Sequence, residues 1–265
     1  MRFIADSYYR GLRAAGIPAL RRRLNDAGVI LCYHNVVATE QDCAGCPGLH
    51  EPRARFEQQM RWLIDHYRVV GLSEFIARLA SGASMRSLAA LTFDDGYAGV
   101  FEHAVPILHS LGVPATVFIV ADAIGRSAPF WWDEDAGHRA ADWASIRAAL
   151  GGGIELGAHS ANHPSLPSLT DSQLEDEIVA SRAVIHRATG WRPECFAYPY
   201  GHWNARVRDA VRSAGYGAGV TLDFGLNGRE ADLWALRRIN VPAGISDAAF
   251  EAWTAGCRGR KDLSR

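Results

Sequence analysis

Short apolar runs recur along the chain at VILCY (29–33), LAALTF (88–93), ATVFIV (115–120), IELGA (154–158), CFAY (195–198), GAGVT (217–221) and RRINV (237–241). They predict β-strands, and helical patterns sit between them. In RFEQQMRWLIDHY, Phe56, Met60, Leu63, Ile64 and Tyr67 follow the 3.6-residue period. Thr170 and Gln173 have capping-box spacing and open a helix with Leu174, Ile178 and Ile185 on one face and Gly190 near its end. The segment after Gly96 carries Val100, Phe101, Val105, Leu108 and Leu111 before Gly112, and Pro106 inside it predicts a kink. Strands alternating with helices predict a parallel α/β sheet, and this number of strands fits an irregular (β/α) barrel better than an open sheet. A barrel carries a corollary: functional groups should lie just past the C-terminal ends of its strands.

Composition narrows the classes. At 265 residues, 48% hydrophobic and 22% charged, the chain has ample material for one large core. A net charge of −1 gives no reason to expect nucleic acid as a partner. Five cysteines are an odd number and make no disulfide framework. Cys43 and Cys46 form a CxxC, but without the second ligand pair of a structural zinc site a plain loop is the simpler reading. No run approaches the ~18 apolar residues of a membrane span. The N-terminus, MRFIADSYYRGLRAAGIPALRRRL, lacks the apolar core of a signal peptide and reads as a basic amphipathic helix, with Phe3, Ile4, Tyr8, Leu12 and Leu20 among arginines. Such a helix packs on its own domain or contacts an anionic membrane surface. The expected division is a helical segment over 1–28, a catalytic domain over 29–250 and a tail over 251–265. The expected location is cytoplasmic or membrane-peripheral.

The corollary of the barrel holds in the sequence. His34 follows the first run, Asp94 and Asp95 the second, His159 and His163 the fourth, and Pro199, Tyr200 and Gly201 the fifth. Neighbouring side chains on a strand point to opposite faces, so two adjacent aspartates serve one site only if the chain leaves the strand there. Gly96 permits that exit; the competing reading of LTFDDG is a solvated turn. His159 and His163, four apart, can chelate from a helical turn or a tight loop, with Pro164 restricting His163. Two imidazoles and one carboxylate with an open position make a common catalytic zinc arrangement, and the same donors also make a non-haem iron triad. His103, His109 and His186 fall in helical patterns, and His50, His66, His138 and His202 show no spacing signal.

FDDG, HSANHP and FAYPYG, in that order and at these separations, resemble the polysaccharide deacetylase superfamily (NodB-homology domain, carbohydrate esterase family 4). LCYHNV, GVPATVFIV and PFWWD agree with it, and the similarity runs from about residue 29 to 242. The resemblance implies an irregular (β/α)7 barrel. It implies a divalent metal held by Asp95, His159 and His163, zinc first, with cobalt, nickel or manganese as alternatives. Asp94 would be the general base for the attacking water, and the backbone N–H of Tyr200 would meet the oxyanion. The family often has an arginine in its third motif, where FAYPYG has Ala197, and its usual late catalytic histidine has no counterpart after His202. A subset resembling poly-N-acetylglucosamine deacetylases carries a histidine in an N-terminal YH motif instead. That places His34 as general acid and leaves Arg238, ahead of Arg237, to orient Asp94. Trp131, Trp132, Pro199 and Tyr200 would contact the sugar. The implied function is N-deacetylation of an amino sugar in a glycan or lipid-linked saccharide. The competitors are removal of another N-acyl group such as formyl, glycan binding without turnover, and iron-dependent oxygenation.

Overall fold

The computed structural model describes residues 2–126, 130 and 137–259. In chain order the elements are α1 (Arg2–Ala14), α2 (Ile17–Leu24), β1 (Val29–Tyr33), β2 (Asn35–Val37), β3 (His50–Pro52), α3 (Arg53–His66), β4 (Arg68–Val69), α4 (Leu72–Ala80), β5 (Leu88–Phe93), α5 (Val105–Leu111) and β6 (Ala115–Ile119). They continue with α6 (Trp143–Ala149), β7 (Ile154–Ala158), α7 (Asp171–Thr189), β8 (Cys195–Ala197), α8 (Ala205–Ser213), β9 (Ala218–Val220), β10 (Ile239–Asn240) and α9 (Asp247–Thr254).

Every run read as a strand from the sequence is a strand. They pair in parallel in the order β10-β1-β5-β6-β7-β8-β9, with β4 beside the start of β5. The sheet curls, and the segment around β10 draws its two edges together. Leu236 bridges to Val220 on β9, while Ile239 and Asn240 pair with Leu31 and Cys32 on β1.

The alternation of side chains along each strand divides the interior into two clusters. Leu31, Leu91, Val117 and Leu156 pack outward beneath the helices. Ile30, Ala90, Phe118, Ala197, Val220 and Leu236 face inward, joined by Leu72, Phe75 and Leu79 of α4. That helix crosses the end where the strands begin, with the Phe75 ring against Gly28. The same parity that turns Ile30, Ala90 and Leu236 inward also turns Cys32, His34, Thr92, Asp94 and Arg238 inward at the other end. Gly157 on β7 lets the Phe118 ring fill the middle, because a Cβ there would overlap it.

Helix signals behave as their chemistry dictates. Thr170 caps α7 through a reciprocal box with Gln173, and Gly190 ends it at φ 74. The kink expected at Pro106 takes the form of a π-helical turn over Val100–Ala104 immediately before α5. The strands β2, β3 and β4 carry no pattern that the sequence reading found. α9 runs across the boundary drawn at residue 250, and α1 packs on it, with the Tyr9 hydroxyl accepting from Trp253 Nε1 at 2.8 Å and from the Gly259 N–H at 3.0 Å.

Candidate active site

The two aspartates at the exit of β5 part company in the backbone. Asp94 stays in the ladder, its N–H donating to the Tyr33 carbonyl at 2.9 Å. Asp95 then takes φ 71 and Gly96 φ 80. The sequence reading put the reversal at Gly96 alone; the left-handed turn begins one residue earlier, on Asp95 itself. A non-glycine residue held there costs on the order of 1–3 kcal/mol and is tolerated where function requires it. The reversal swings Asp95 round to the side of the barrel that Asp94 already faces.

There it meets the histidines. Asp95 Oδ1 lies 3.5 Å from Nε2 of His159 and 3.5 Å from Nε2 of His163, and the two Nε2 atoms are 3.2 Å apart. His159 Nδ1 is 2.8 Å from the Ala197 carbonyl oxygen. A carbonyl only accepts, so Nδ1 carries the proton and Nε2 presents its lone pair to the cluster. His163 reaches the same point from a tight loop rather than a helical turn. Ser160 and His163 both have φ 62, and the Ser160 hydroxyl accepts the His163 N–H at 2.8 Å. Burial keeps both imidazoles neutral, lowering His159 and, with His159 beside it, pushing His163 down to about 2.

Lone pairs and a carboxylate oxygen facing one another at such distances repel unless a cation sits between them. Tetrahedral ligation at about 2.1 Å places donor atoms about 3.4 Å apart, and the three separations here bracket that value. The donor set fits a zinc-like ion.

Beside this triad Asp94 is gripped by Arg238. The guanidinium donates from Nη1 to Oδ1 at 2.7 Å and from Nη2 to Oδ2 at 2.6 Å. It is held in turn by the Thr221 carbonyl at 2.8 Å and the Thr92 hydroxyl at 3.1 Å. Burial alone would raise the Asp94 carboxyl, but the Arg238 guanidinium, through its charge and its two hydrogen bonds, holds it well below the usual carboxylate range. Arg237, the second candidate for this role, packs its stem against Gly225 instead. Cys32 adds a third donor that the sequence reading passed over, its thiol 3.4 Å from Asp94 Oδ2. His34, two residues on and half-buried, brings a ring nitrogen within 4.8 Å of both Cys32 Sγ and the Asp94 carboxylate. Burial pushes the His34 imidazole down to about 4 against the upward pull of Asp94.

Tyr200, at φ 59, lays its ring 4.5 Å from that of His163. Beyond it opens a groove of about 390 Å³ bounded by Ser165, Pro167, Gly201, His202, Trp203 and Asp223. The Trp203 indole is fixed by donating to Asp223 Oδ2 at 2.9 Å and by stacking on Tyr198. Trp203 and Asp223 were not picked out from the sequence, although each follows a strand end. Trp131 and Trp132, which were, lie outside the described residues. Cys43 and Cys46 sit on the β2–β3 loop and belong to neither cluster of metal-capable side chains among the described residues. Burial and the carboxylates of Glu51, Glu40 and Asp42 raise the Cys43 thiol, away from the thiolate a ligand needs.

A family model described as Polysaccharide deacetylase matches residues 82–219. That span holds Asp94, Asp95, His159, His163, Pro199 and Tyr200, but not Cys32, His34 or Arg238. The chain is 28% identical over 226 residues to YxkH of Bacillus subtilis, covering 84% of this chain and 75% of that protein. It is 24% identical over 212 residues to the poly-beta-1,6-N-acetyl-D-glucosamine N-deacetylase of Staphylococcus aureus, covering 75% and 69%. Among solved structures, IcaB from Ammonifex degensii superposes with a TM-score of 0.72 at 23% identity, over 87% of this chain and 98% of that one. The deacetylase PplD of Streptococcus pyogenes, in complex with acetate, gives 0.72 at 21%, over 83% and 94%. At such identities the structural likeness establishes the curled parallel fold.

Proposed function

The chain belongs to the polysaccharide deacetylase family, and from that premise we propose that it is a metal-dependent hydrolase removing the N-acetyl group from an amino sugar of a glycan or lipid-linked saccharide. One observation carries the mechanistic part. An Arg-clamped aspartate, Asp94, stands beside three convergent donors, Asp95, His159 and His163, at the C-terminal rim of the barrel.

Asp95, His159 and His163 are the residues that would hold the metal. The chemistry a divalent ion supplies there is polarisation of the acyl carbonyl and acidification of water, so that attack proceeds near neutral pH. Arg238 keeps Asp94 ionised and its oxygens aimed, ready to accept the proton that water sheds as it bonds to the carbonyl carbon. The backbone N–H of Tyr200 meets the carbonyl oxygen as it gains charge. An amine leaves an acyl carbon only with a proton on nitrogen. His34 starts neutral and lies close to Asp94, so a short transfer brings it the proton that it then gives to the departing nitrogen. The C–N bond breaks, acetate and a free amino sugar result, and water has supplied both the oxygen and the proton. Arg238 fills the role of the arginine absent at Ala197, which favours turnover over glycan binding alone.

Elemental analysis is the first test. Near one divalent ion per chain is expected, lost in Asp95→Ala and in His163→Ala. Acetate release from N-acetylglucosamine oligomers should then follow metal content and vanish in Asp94→Ala. A wild-type chain that takes up no metal on reconstitution would end this mechanism. Formate released from N-formyl sugars, with no acetate from N-acetyl ones, would reassign the acyl group.

A further inference from the structure

The N-terminal helices divide their work. α1 turns inward, burying Tyr9 and packing Leu12 against the core. α2 turns its apolar stripe the other way. At 100° per residue Ile17, Leu20 and Leu24 fall within a sector of about 60°, and they are 37%, 56% and 67% exposed. On the opposite side Pro18 is buried and the Arg22 guanidinium stacks over the rings of Trp62 and Tyr67. Arg21 and Arg23 flank the exposed stripe, one on each side. Both are exposed, and neither pairs with a carboxylate among the described residues. A helix that served only to cover its own domain would bury the stripe and expose the arginines alone.

The geometry points to a docking surface for an anionic lipid bilayer on the outward face of α2. Charge selects that occupant over a second copy or an apolar protein groove. α2 contains three arginines and no acid, and residues 1–25 hold six arginines against Asp6 in a chain whose net charge is −1. An apolar stripe rimmed by arginines is how a helix lies in a headgroup layer, with leucines below and guanidinium groups level with the phosphates. Among the described residues no helix is long and apolar enough to cross a membrane, so the contact is peripheral. α2 feeds the N-terminal end of β1, the opposite end of that strand from His34. The docked surface and the candidate active site are therefore separate.

Co-sedimentation of the full chain with vesicles tests this. Vesicles of phosphatidylcholine with about one-third phosphatidylglycerol should pellet the wild type at low salt, and pure phosphatidylcholine vesicles should not. Arg21→Glu with Arg23→Glu should weaken binding at least tenfold, each charge near the surface being worth about fivefold. Leu20→Ser with Leu24→Ser should remove the part of binding that survives moderate salt. None of these side chains is in the core, so both variants should keep the wild-type thermal transition and metal content. Absence of wild-type binding at low salt would overturn the proposal, as would binding indifferent to both variants. A wild-type dimer in light scattering that Leu20→Ser with Leu24→Ser disperses would also overturn it, and would make this face an interface between copies.

Discussion

Arg238→Met removes one member of an ion pair whose side chains are 0% and 2% exposed. Four hydrogen bonds go with it: two to Asp94, one to the Thr221 carbonyl and one to the Thr92 hydroxyl. Breaking a buried pair from one side costs about 3–5 kcal/mol, because the remaining charge stays out of water. The orphaned Thr221 carbonyl adds about 1 kcal/mol. The sum, about 4–6 kcal/mol, is a large part of the stability of an ordinary domain. The cost depends on pH with a definite sign. In the wild type the folded Asp94 carboxyl sits below its unfolded value of 3.8, so its stabilisation is complete above that value and is lost as pH falls through the acid range. In the variant, burial with no guanidinium lifts the carboxyl above its ordinary value, so protonation relieves the strain as pH falls. The gap between wild type and variant should therefore be widest near neutral pH and narrow towards about pH 4. Urea unfolding followed by tryptophan fluorescence measures it, in a double-mutant cycle with Asp94→Asn at constant metal content. Arg238→Lys, which keeps the charge but loses the fork, should fall between the two at about 1–3 kcal/mol. A cycle additive to within about 0.5 kcal/mol would refute the reasoning, since two residues in one pair must couple.

Three further outcomes are expected. Burial raises Glu51 to about 7 from an ordinary 4.5, so the native state binds more protons and loses stability between those values. Denaturation should show Glu51→Gln gaining on the wild type by about 3 kcal/mol as pH rises across that window, and a flat difference would contradict it. Trp203→Ala should raise KM for an N-acetylated oligomer about tenfold with little change in kcat, while Trp203→Phe keeps most of the affinity. An unchanged KM would show that the sugar does not use this groove. Cys32→Ala should lower kcat several-fold and leave metal content intact, in keeping with loss of one weak hydrogen bond to Asp94 worth about 1 kcal/mol; unaltered turnover would reduce Cys32 to packing.

What could be read from the sequence tracks the length of each signal. The runs that became β1, β5, β6 and β7 are five or six residues long and buried, so their apolar character is unmistakable. β2, β3 and β4 are two or three residues long, and no alternation can be seen in so few positions. The triad was legible because its donors follow long apolar runs, Asp95 after LAALTF and His159 and His163 after IELGA. Trp203 and Asp223 lie six and three residues past strands that are themselves three residues long, and neither forms a spaced donor pair that would mark it. Cys32 shares the parity of His34, and only the thiol's 3.4 Å approach to Asp94 gives it a role. The left-handed turn at Asp95 had no signal, since aspartate is not a residue that demands positive φ.

Arg238 and Ala197 are two parts of one arrangement. The Asp94 carboxylate offers Oδ1 to Nη1, and Oδ2 to Nη2 and the Cys32 thiol. A second guanidinium arriving from β8 would set two buried cations against one carboxylate and leave a positive charge uncompensated, at a cost of several kcal/mol. An arginine can therefore serve Asp94 from one strand or the other, not from both. The barrel makes the substitution feasible because Leu236 bridges to β9 while Ile239 pairs with β1, which places Arg238 between them to reach across the interior to the end of β5. With the arginine on that late segment, the position on β8 is left to a small side chain. What β8 still has to contribute is its backbone, and the Ala197 carbonyl fixes the proton on His159 Nδ1. A clamp on Asp94 and a set tautomer on His159 are then both supplied by a chain that departs from the commoner motif.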